Sequence, residues 1–550
     1  MALLLDIFGF LSVVLRGLVL TAQSLTVGGV VFLACLAKPL APPLGPAGAA
    51  VIERCGRLLL WSAIALAVIE AVFVTLECLV LAGSIQTTLA DAFAAEFARF
   101  GAVAAAAAAV TAALAARRDV GRRVLPLLAL AVTILLAQVA TSHAAAQLSE
   151  RAVLLVADFM HMLAAAVWIG GIPYFLIALS QAQTSVGYGR IGQRFSHMSM
   201  AAVALLLAAG IVMAVPYVGS VDAIYGTAYG VMVATKVLLL ASLLVFGALN
   251  NRLVQRARRD PGTPILRLRR FAEVEIGLGL TVLFAAASLT SQPPAVDLTT
   301  DRASLHEVVE RLTPHWPRLT SPDHASLALS ELQAKIDAQA TAGAARPLAF
   351  VPGEGDIAPR NAEDIAWSEY NHHWAGIFVL AIGLLALLER SGRAPWAKHW
   401  PLLFLALALF LFVRSDPEVW PLGKIGFWTS LRDPEVVQHR IFVALIAAFG
   451  IFEWRVRTGR NRHPRAALVF PVITALGGAL LLTHSHALSN VKDQLLIEIS
   501  HVPLALCGIA AGWGRWLELR LDDRAGHVAA WVWPVAFVLV GLILLSYREA

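Results

Sequence analysis

Residues 57–80 read RLLLWSAIALAVIEAVFVTLECLV, an apolar run long enough to cross a lipid bilayer as a single helix. About 20 apolar residues suffice for such a crossing. The run lacks the alternation of apolar and polar residues that is typical of a half-buried strand. It therefore predicts a membrane-spanning α-helix. Its two acidic residues, Glu70 and Glu77, are costly in lipid, which predicts that they are paired or functional.

Apolar runs of this kind recur along the whole chain. The chain has 550 residues, of which 58% are hydrophobic and only 15% charged, and its mean hydropathy is +0.72. Soluble domains are about 25% charged. We predict fourteen spans, near 8–35, 57–80, 97–117, 122–142, 151–179, 197–217, 229–249, 271–291, 373–389, 399–413, 437–456, 466–484, 496–515 and 528–546. The predicted fold class is all-α, a polytopic transmembrane helical bundle.

The basic residues indicate the orientation of these helices. Five loops are rich in Arg and Lys, at 117–123, 252–270, 389–398, 455–465 and 515–524. All five fall on one side of a membrane crossed fourteen times, and basic loops mark the cytoplasmic side. Both termini are then predicted to be extracytoplasmic, with the first apolar run retained as a span. These loops account for the net charge of +6, so no nucleic-acid partner is expected.

One polar stretch divides the chain into three predicted parts. They are an N-terminal membrane domain of eight helices at 1–291, an extracytoplasmic loop at 292–371, and a C-terminal membrane domain of six helices at 372–550. Charged and apolar residues at helical spacing between Ser304 and Ala342 predict a short helical cap in the loop. The loop is too small to hold much of a core.

The methionines are confined to one region of the chain. Of 7 Met, all except Met1 lie between Met160 and Met232. Two clusters interleave them with histidine, namely Met160, His161 and Met162, and His197, Met198 and Met200. Thioether and imidazole are neutral ligands, and thioether favours Cu(I). The clusters therefore predict copper sites, with packing methionines beside an unrelated histidine as the alternative.

Charged and aromatic residues accompany the first of these clusters. Asp158 stands three positions before His161 on the same predicted helix face, where a carboxylate can orient a metal-binding imidazole. Lys236 on the seventh span would oppose cation entry unless Asp158 neutralises it. Trp168 follows on the same span, and His143 is a further donor at the outer side.

Histidines of the second half gather at four helix ends on the predicted outer side. They are His372 and His373, His439, His484 and His486, and His501. Imidazole suits copper, and rings from neighbouring helices can share one ion. Two rings at matched depth can instead hold a haem b, with His439, His484, His486 and His501 as candidate axial ligands. Separate histidines satisfied by water are the third interpretation.

Four sequence blocks follow one another between residues 141 and 296. They are TSHAAA at 141–146, DFMHMLAAAVWIGGIPYF at 158–175, YGVMVATKVLLLASLLVFGALNNR at 229–252, and RRFAEVEIGLGLTVLFAAASLTSQPPA at 269–295. Together they resemble the copper resistance protein D (CopD) family of bacterial inner-membrane proteins, although the family commonly has glycine where this chain has Ser142. The last six spans, with EYNHHWAG at 369–376 and LLTHSHALSNVKDQLLIEISHVPLALCG at 481–508, resemble the C-terminal extension of longer members.

The resemblance implies copper handling at the bacterial inner (cytoplasmic) membrane, and copper resistance. We predict a transporter rather than an enzyme, in which copper steps between Met/His sites of moderate strength from the outer histidines to the inner cluster. A haem-containing electron-transfer protein, an oxidoreductase that could reduce copper, is the first alternative, and a copper-delivery or assembly partner is the second. Predicted partners are the copper ion and the lipid bilayer, with a periplasmic copper chaperone as a further candidate. No nucleotide-binding motif is present, which argues against an ATP-driven pump.

Overall fold

A computed structural model gives the fold of most of the chain. It describes residues 2–117, 119–146, 150–181, 185–260, 262–299, 302–323, 327, 362–417, 419–431, 434–483 and 491–549. Within these ranges the regular elements are helices, and one isolated bridge pairs Val419 with Ile425. The predicted all-α fold class is confirmed.

The first thirteen helices run up to the polar stretch. They are α1 (Ala2–Phe32), α2 (Lys38–Leu44), α3 (Pro46–Ser84), α4 (Leu89–Ala94), α5 (Glu96–Ala115), α6 (Val124–Val139), α7 (His143–Ala146), α8 (Arg151–Ala165), α9 (Ile172–Gln181), α10 (Ser185–Val218), α11 (Val221–Gly226), α12 (Ala228–Arg259) and α13 (Leu266–Thr290). Single π turns at Leu33–Ala37 and Ala166–Gly170 join α1 to α2 and α8 to α9.

The remaining described helices follow after residue 304. They are α14 (Leu305–Leu312), α15 (Ala362–Arg390), α16 (Leu403–Arg414), α17 (Phe427–Ser430), α18 (Pro434–Arg457), α19 (Val469–Leu481), α20 (Val491–Arg520) and α21 (Arg524–Leu545). A 3₁₀ segment at Pro395–Leu402 precedes α16. Helix α14 lies within the region 304–342 that was predicted to form a helical cap.

Twelve helices in the described ranges are long and apolar enough to cross a membrane. The other two predicted spans correspond to the shorter apolar helices Val124–Val139 and Ala466–Leu481. A helix of 16 residues rises about 24 Å, less than the roughly 30 Å of a hydrocarbon core. The fold is therefore that of a polytopic helical membrane protein, and the described part of the chain contains twelve helices of full spanning length.

The chain forms two compact units. The first contains Met1–Ile224 and Met232–Val296, and the second contains Tyr225–Val231, Asp297–Leu482 and the described residues from 491 onward. In the first unit α1 is the central helix and packs against α3, α13 and the Ala166–Gly170 turn. In the second unit α21 packs against both α15 and α20, and α19 packs against α20.

Large aromatic side chains form the core of the second unit. Trp400, Phe470 and Trp533 are nearly inaccessible to solvent, and their ring centroids lie 5.7 Å apart in each pairing. Arg457 lies beside this core, because its guanidinium carbon is 4.5 Å from the centre of the Trp400 ring. The same guanidinium donates to Glu453 and to Glu389, each at 2.7 Å. A charged group is thus held among aromatic rings at one end of the second unit.

Helix α14 is attached to α20 near both of its ends. Ser304 and Glu307 form a capping box at its start, and the Arg311 side chain donates to the Leu496 carbonyl at 3.0 Å near its end. The Lys492 ammonium lies 2.5 Å from the Glu307 carboxylate. Ion pairing with Lys492, followed by hydrogen bonds from Ser304, lowers the pKa of Glu307 to about 2.

We expect this ion pair to make a small, pH-dependent contribution to stability. A carboxyl group with a lowered pKa stabilises the fold above its unfolded pKa of about 4.3, and the contribution disappears as the pH falls through about 2. Because Glu307 is at the surface, Glu307→Gln should cost less than about 1 kcal/mol at pH 7. Thermal unfolding midpoints of the two proteins should therefore differ at pH 7 and converge as the pH falls from about 4 to about 2, and a constant difference would contradict the assignment.

Candidate functional site

Glycines let helix α1 approach the π turn of Ala166–Gly170 very closely. A methyl group on Gly170 would overlap the carbonyl oxygen of Ser24, and one on Gly28 would overlap the carbonyl oxygen of Ala166. In membranes such small residues allow helix backbones to pack without intervening side chains. Trp168 is buried within the same turn, with 3% of its surface exposed. The close approach aligns the middle of α1 with α8.

Gln23 of α1 contacts a methionine of α8 as a result. Its amide Nε2 donates to the Met162 sulfur over 3.6 Å, and the side chain is 2% exposed. Gln23 Oε1 is buried and makes no hydrogen bond within the described part of the chain. A soft sulfur therefore contacts the amide nitrogen of a buried glutamine inside the first unit.

His161 precedes Met162 but faces a different helix. Its Nδ1 lies 3.2 Å from the Leu206 carbonyl of α10, and the ring also borders Gly210. A carbonyl oxygen only accepts, so Nδ1 carries the proton and the lone pair is on Nε2. Successive residues diverge by about 100° around a helix, so Met160 and Met162 lie on nearly opposite faces. The structure thus places His161 and Met162 beside different helices and separates Met160 from Met162.

Charged residues lie near His161 on its own helix and on a neighbouring one. Asp158 is within hydrogen-bond range of Ser142 and interacts electrostatically with Lys236 and His143. Lys236 in turn interacts with His161. Asp158 and Lys236 are therefore close enough to interact electrostatically, and a role of this pair in cation entry stays a prediction. His143 Nε2 lies 3.1 Å from the Thr290 carbonyl, which holds the ring at the end of α13.

A buried hydrogen-bond chain links α1, α6 and α3. Arg16 donates to Gln138 Oε1 at 2.9 Å, and Gln138 Nε2 donates to Glu70 Oε1 at 3.0 Å. Gln138 and Glu70 are both nearly inaccessible. Arg16 is therefore linked to Glu70 of α3 through the side-chain amide of Gln138.

The second Met/His cluster lies nearer the surface of the first unit. His197 is exposed, Met198 is partly buried, and 51% of the Met200 surface is exposed. Residues three apart share a helix face, so His197 and Met200 point outward together. Of this cluster, Met198 is the least exposed sulfur.

In the second unit the structure brings His372 of α15 beside His501 of α20. Their ring centroids are 6.3 Å apart, and the ring planes are nearly perpendicular at 87°. His373 is fully buried and differently held, since its Nδ1 accepts from the Arg318 amide at 2.8 Å and its Nε2 lies 2.9 Å from the Tyr547 carbonyl. Both of its ring nitrogens are thus engaged by backbone groups.

The other predicted histidines of this half have separate surroundings. His439 Nδ1 lies 2.6 Å from Asp416 Oδ1, an ion pair when the ring is protonated. His484 and His486 lie outside the described residues. No group of three or more His, Cys, Asp or Glu side chains able to hold a metal ion occurs among the residues that were placed.

Sequence reasoning missed three residues that define these surroundings, namely Gln23, Gln138 and Tyr547. Methionine, histidine and ionisable side chains stand out as metal donors in a sequence, whereas neutral amides do not. Gln23 and Gln138 could have been found from their positions inside predicted spans, because a polar amide in lipid needs a hydrogen-bond partner. Nothing in the sequence placed Tyr547, near the end of the chain, against the histidines of α15 and α20.

Comparison with known proteins identifies one part of the chain. The sequence model of the family Copper resistance protein D matches residues 189–289, which include most of α10, all of α12 and nearly all of α13. The Copper transport protein CutJ of Bacillus subtilis (strain 168) is 32% identical over 164 residues. That match covers 29% of this chain and 29% of the Bacillus protein, so less than a third of that relative's length is aligned. No solved structure matches the chain.

Proposed function

We propose that this chain, whose residues 189–289 match the copper resistance protein D family, carries copper ions across a membrane through its first unit. The alignment with a copper transport protein supports the choice of ion. The twelve helices of spanning length support the membrane location. The bacterial inner membrane, with both termini extracytoplasmic, is part of the proposal and rests on the basic loops.

The observation that carries the proposal is the contact between Gln23 and Met162. A thioether inside a membrane unit is a ligand for Cu(I), and few other cations favour it. The neighbouring His161 has its lone pair on Nε2, because Nδ1 faces a carbonyl oxygen. A soft donor and an imidazole are therefore adjacent in sequence on α8 and half-buried, the sulfur against α1 and the imidazole against α10.

An ion can move between such donors only if no single site holds it too tightly. Met162 and His161 lie beside different helices, which favours successive weak sites over one strong site. We propose that copper passes from the outer side to Met162 and His161, and then toward Met198. The carboxylate of Asp158 offsets the positive charge of Lys236 along this part of the path.

The experiment is copper accumulation by cells that express single variants. Met162→Leu keeps the shape of the side chain and removes the sulfur, and His161→Ala removes the imidazole. We expect each to lower the accumulation rate roughly tenfold, the effect of losing about 1.4 kcal/mol of stabilisation on the path. The rate is normalised to the amount of protein in the membrane.

Met200→Leu is the matched control for this measurement. It removes a sulfur by the same substitution, but from a side chain that is 51% exposed on α10. Accumulation should be unchanged in this variant. Equal rates in the wild type, Met162→Leu and His161→Ala would remove both residues from the proposed path.

A further inference from the structure

The geometry points to a second metal site, a two-histidine Cu(I) site formed by His372 and His501 in the second unit. This inference rests on the proposed copper transport for its choice of ion. The site lies at the start of the membrane-spanning parts of α15 and α20. The matched family segment, residues 189–289, contains neither histidine.

Both rings are oriented by their own helices in the same way. His372 Nδ1 lies 2.9 Å from the Ser368 carbonyl, and His501 Nδ1 lies 2.8 Å from the Ile497 carbonyl, each four residues earlier. Since a carbonyl oxygen only accepts, both Nδ1 atoms carry protons and both lone pairs are on Nε2. Histidines that bind metals typically donate their other ring nitrogen to a carbonyl or a carboxylate, which fixes the tautomer and the ring direction.

The separation of the two rings suits one ion held by both. The centroids are 6.3 Å apart, and metal–imidazole bonds are about 2.0 Å long, so a single ion can lie between two Nε2 atoms. Two neutral nitrogen ligands without a third donor suit Cu(I) better than zinc, which takes four ligands in structural sites. The absence of a three-ligand group in the described ranges agrees with this choice.

Tyr547 borders the same space and argues against a haem there. Its ring stacks on His372 with centroids 3.9 Å apart and stands edge-on to His501 at 5.9 Å. The tyrosine ring therefore lies beside the line that joins the two imidazoles. A porphyrin bound between the imidazoles would extend sideways from that line and overlap the tyrosine. A bare ion needs no such width, and an aromatic ring beside a cation is favourable.

Charged groups around the pair are balanced. The Tyr547 hydroxyl donates to Glu549 at 2.8 Å, and Glu549 acts electrostatically on both histidines. The Arg311 guanidinium carbon lies 5.5 Å from the centre of the Tyr547 ring. One carboxylate and one guanidinium nearby leave the site close to neutral, so a monovalent ion adds a single charge. The ring of His373 bonds the backbone carbonyl of Tyr547 and so holds Tyr547 in position beside the two histidines.

The test is a Cu(I) titration of the purified full-length protein in detergent under reducing conditions, in competition with a chromogenic Cu(I) chelator. We expect His372→Ala and His501→Ala each to lose one equivalent of bound Cu(I) relative to the wild type. His372→Gln and His501→Gln retain polar side chains and should lose the same equivalent. Circular dichroism and gel filtration check that each variant is folded.

His527→Ala is the matched control. The His527 ring also has its Nδ1 bonded to a carbonyl four residues earlier, at 2.9 Å, but it is exposed on α21. This variant should bind as much Cu(I) as the wild type. Unchanged stoichiometry in folded alanine and glutamine variants at 372 and 501 would overturn the site, as would a haem absorption band that is lost in these variants.

The outcome is separable from that of the proposed transport. Loss of one equivalent together with unchanged cellular accumulation in Met162→Leu would keep the two-histidine site and reject the path through the first unit. The opposite pair of results would keep the path and reject the site.

Discussion

Gly170→Ala is expected to prevent the first unit from packing correctly. The added methyl carbon would overlap the Ser24 carbonyl oxygen, a backbone atom that cannot rotate away as a side chain can. Helix α1 and the Ala166–Gly170 turn would have to separate, and overpacking typically costs about 1–3 kcal/mol, with an overlap onto backbone expected at the upper end of that range. The yield of monodisperse protein in detergent should fall severely, and its thermal half-life should shorten.

Gly9→Ala is the matched control, because an added methyl group there meets nothing within 4 Å. Gly9 lies on helix α1, which packs against the turn that contains Gly170. Its substitution should leave yield and half-life unchanged or slightly improved, since alanine favours a helix by about 1 kcal/mol over glycine. Equal behaviour of the two variants would show that the close approach is not needed for folding.

Arg457→Ala is expected to destabilise the second unit by about 3–5 kcal/mol, the usual cost of leaving buried charges without their partner. Only 8% of the Arg457 side chain is exposed, and its removal deprives Glu453, which is 2% exposed, of the guanidinium it faces. It also removes the cation stacked on Trp400. Thermal half-lives in detergent are the suitable measurement, because large membrane proteins often unfold irreversibly.

Arg455→Ala provides the comparison, since Arg455 is an exposed arginine on the same last turn of α18. A surface substitution of this kind normally changes stability by less than about 0.5 kcal/mol. Arg457→Lys should fall between the two, because an ammonium keeps the charge but cannot bond two carboxylates in the planar geometry of a guanidinium. A half-life for Arg457→Ala close to that of Arg455→Ala would contradict the structural role.

Most of the fold could be predicted from the sequence, because hydropathy depends on residues that are close along the chain. Each of the fourteen predicted spans corresponds to a helix, with the two shorter ones at Val124–Val139 and Ala466–Leu481. Helix ends were less accurate. For example, α3 begins at Pro46, well before the predicted start at 57, because a helix can continue beyond the lipid.

The candidate sites were much less predictable. Met160, His161 and Met162 are neighbours in sequence, yet a helix directs successive side chains about 100° apart. Conversely, His372 and His501 are brought together by the packing of α15, α20 and α21, which hydropathy does not encode. Adjacency along the chain was therefore a poor guide to which donors can share an ion.

The most direct test of the central claim is copper flux into sealed vesicles that contain only the purified protein. With Cu(I) outside under reducing conditions, we predict that vesicles with the wild-type protein accumulate radiolabelled copper faster than protein-free vesicles, and that Met162→Leu loses most of this increase. Identical accumulation in wild-type and protein-free vesicles, with the protein folded and inserted, would contradict the account.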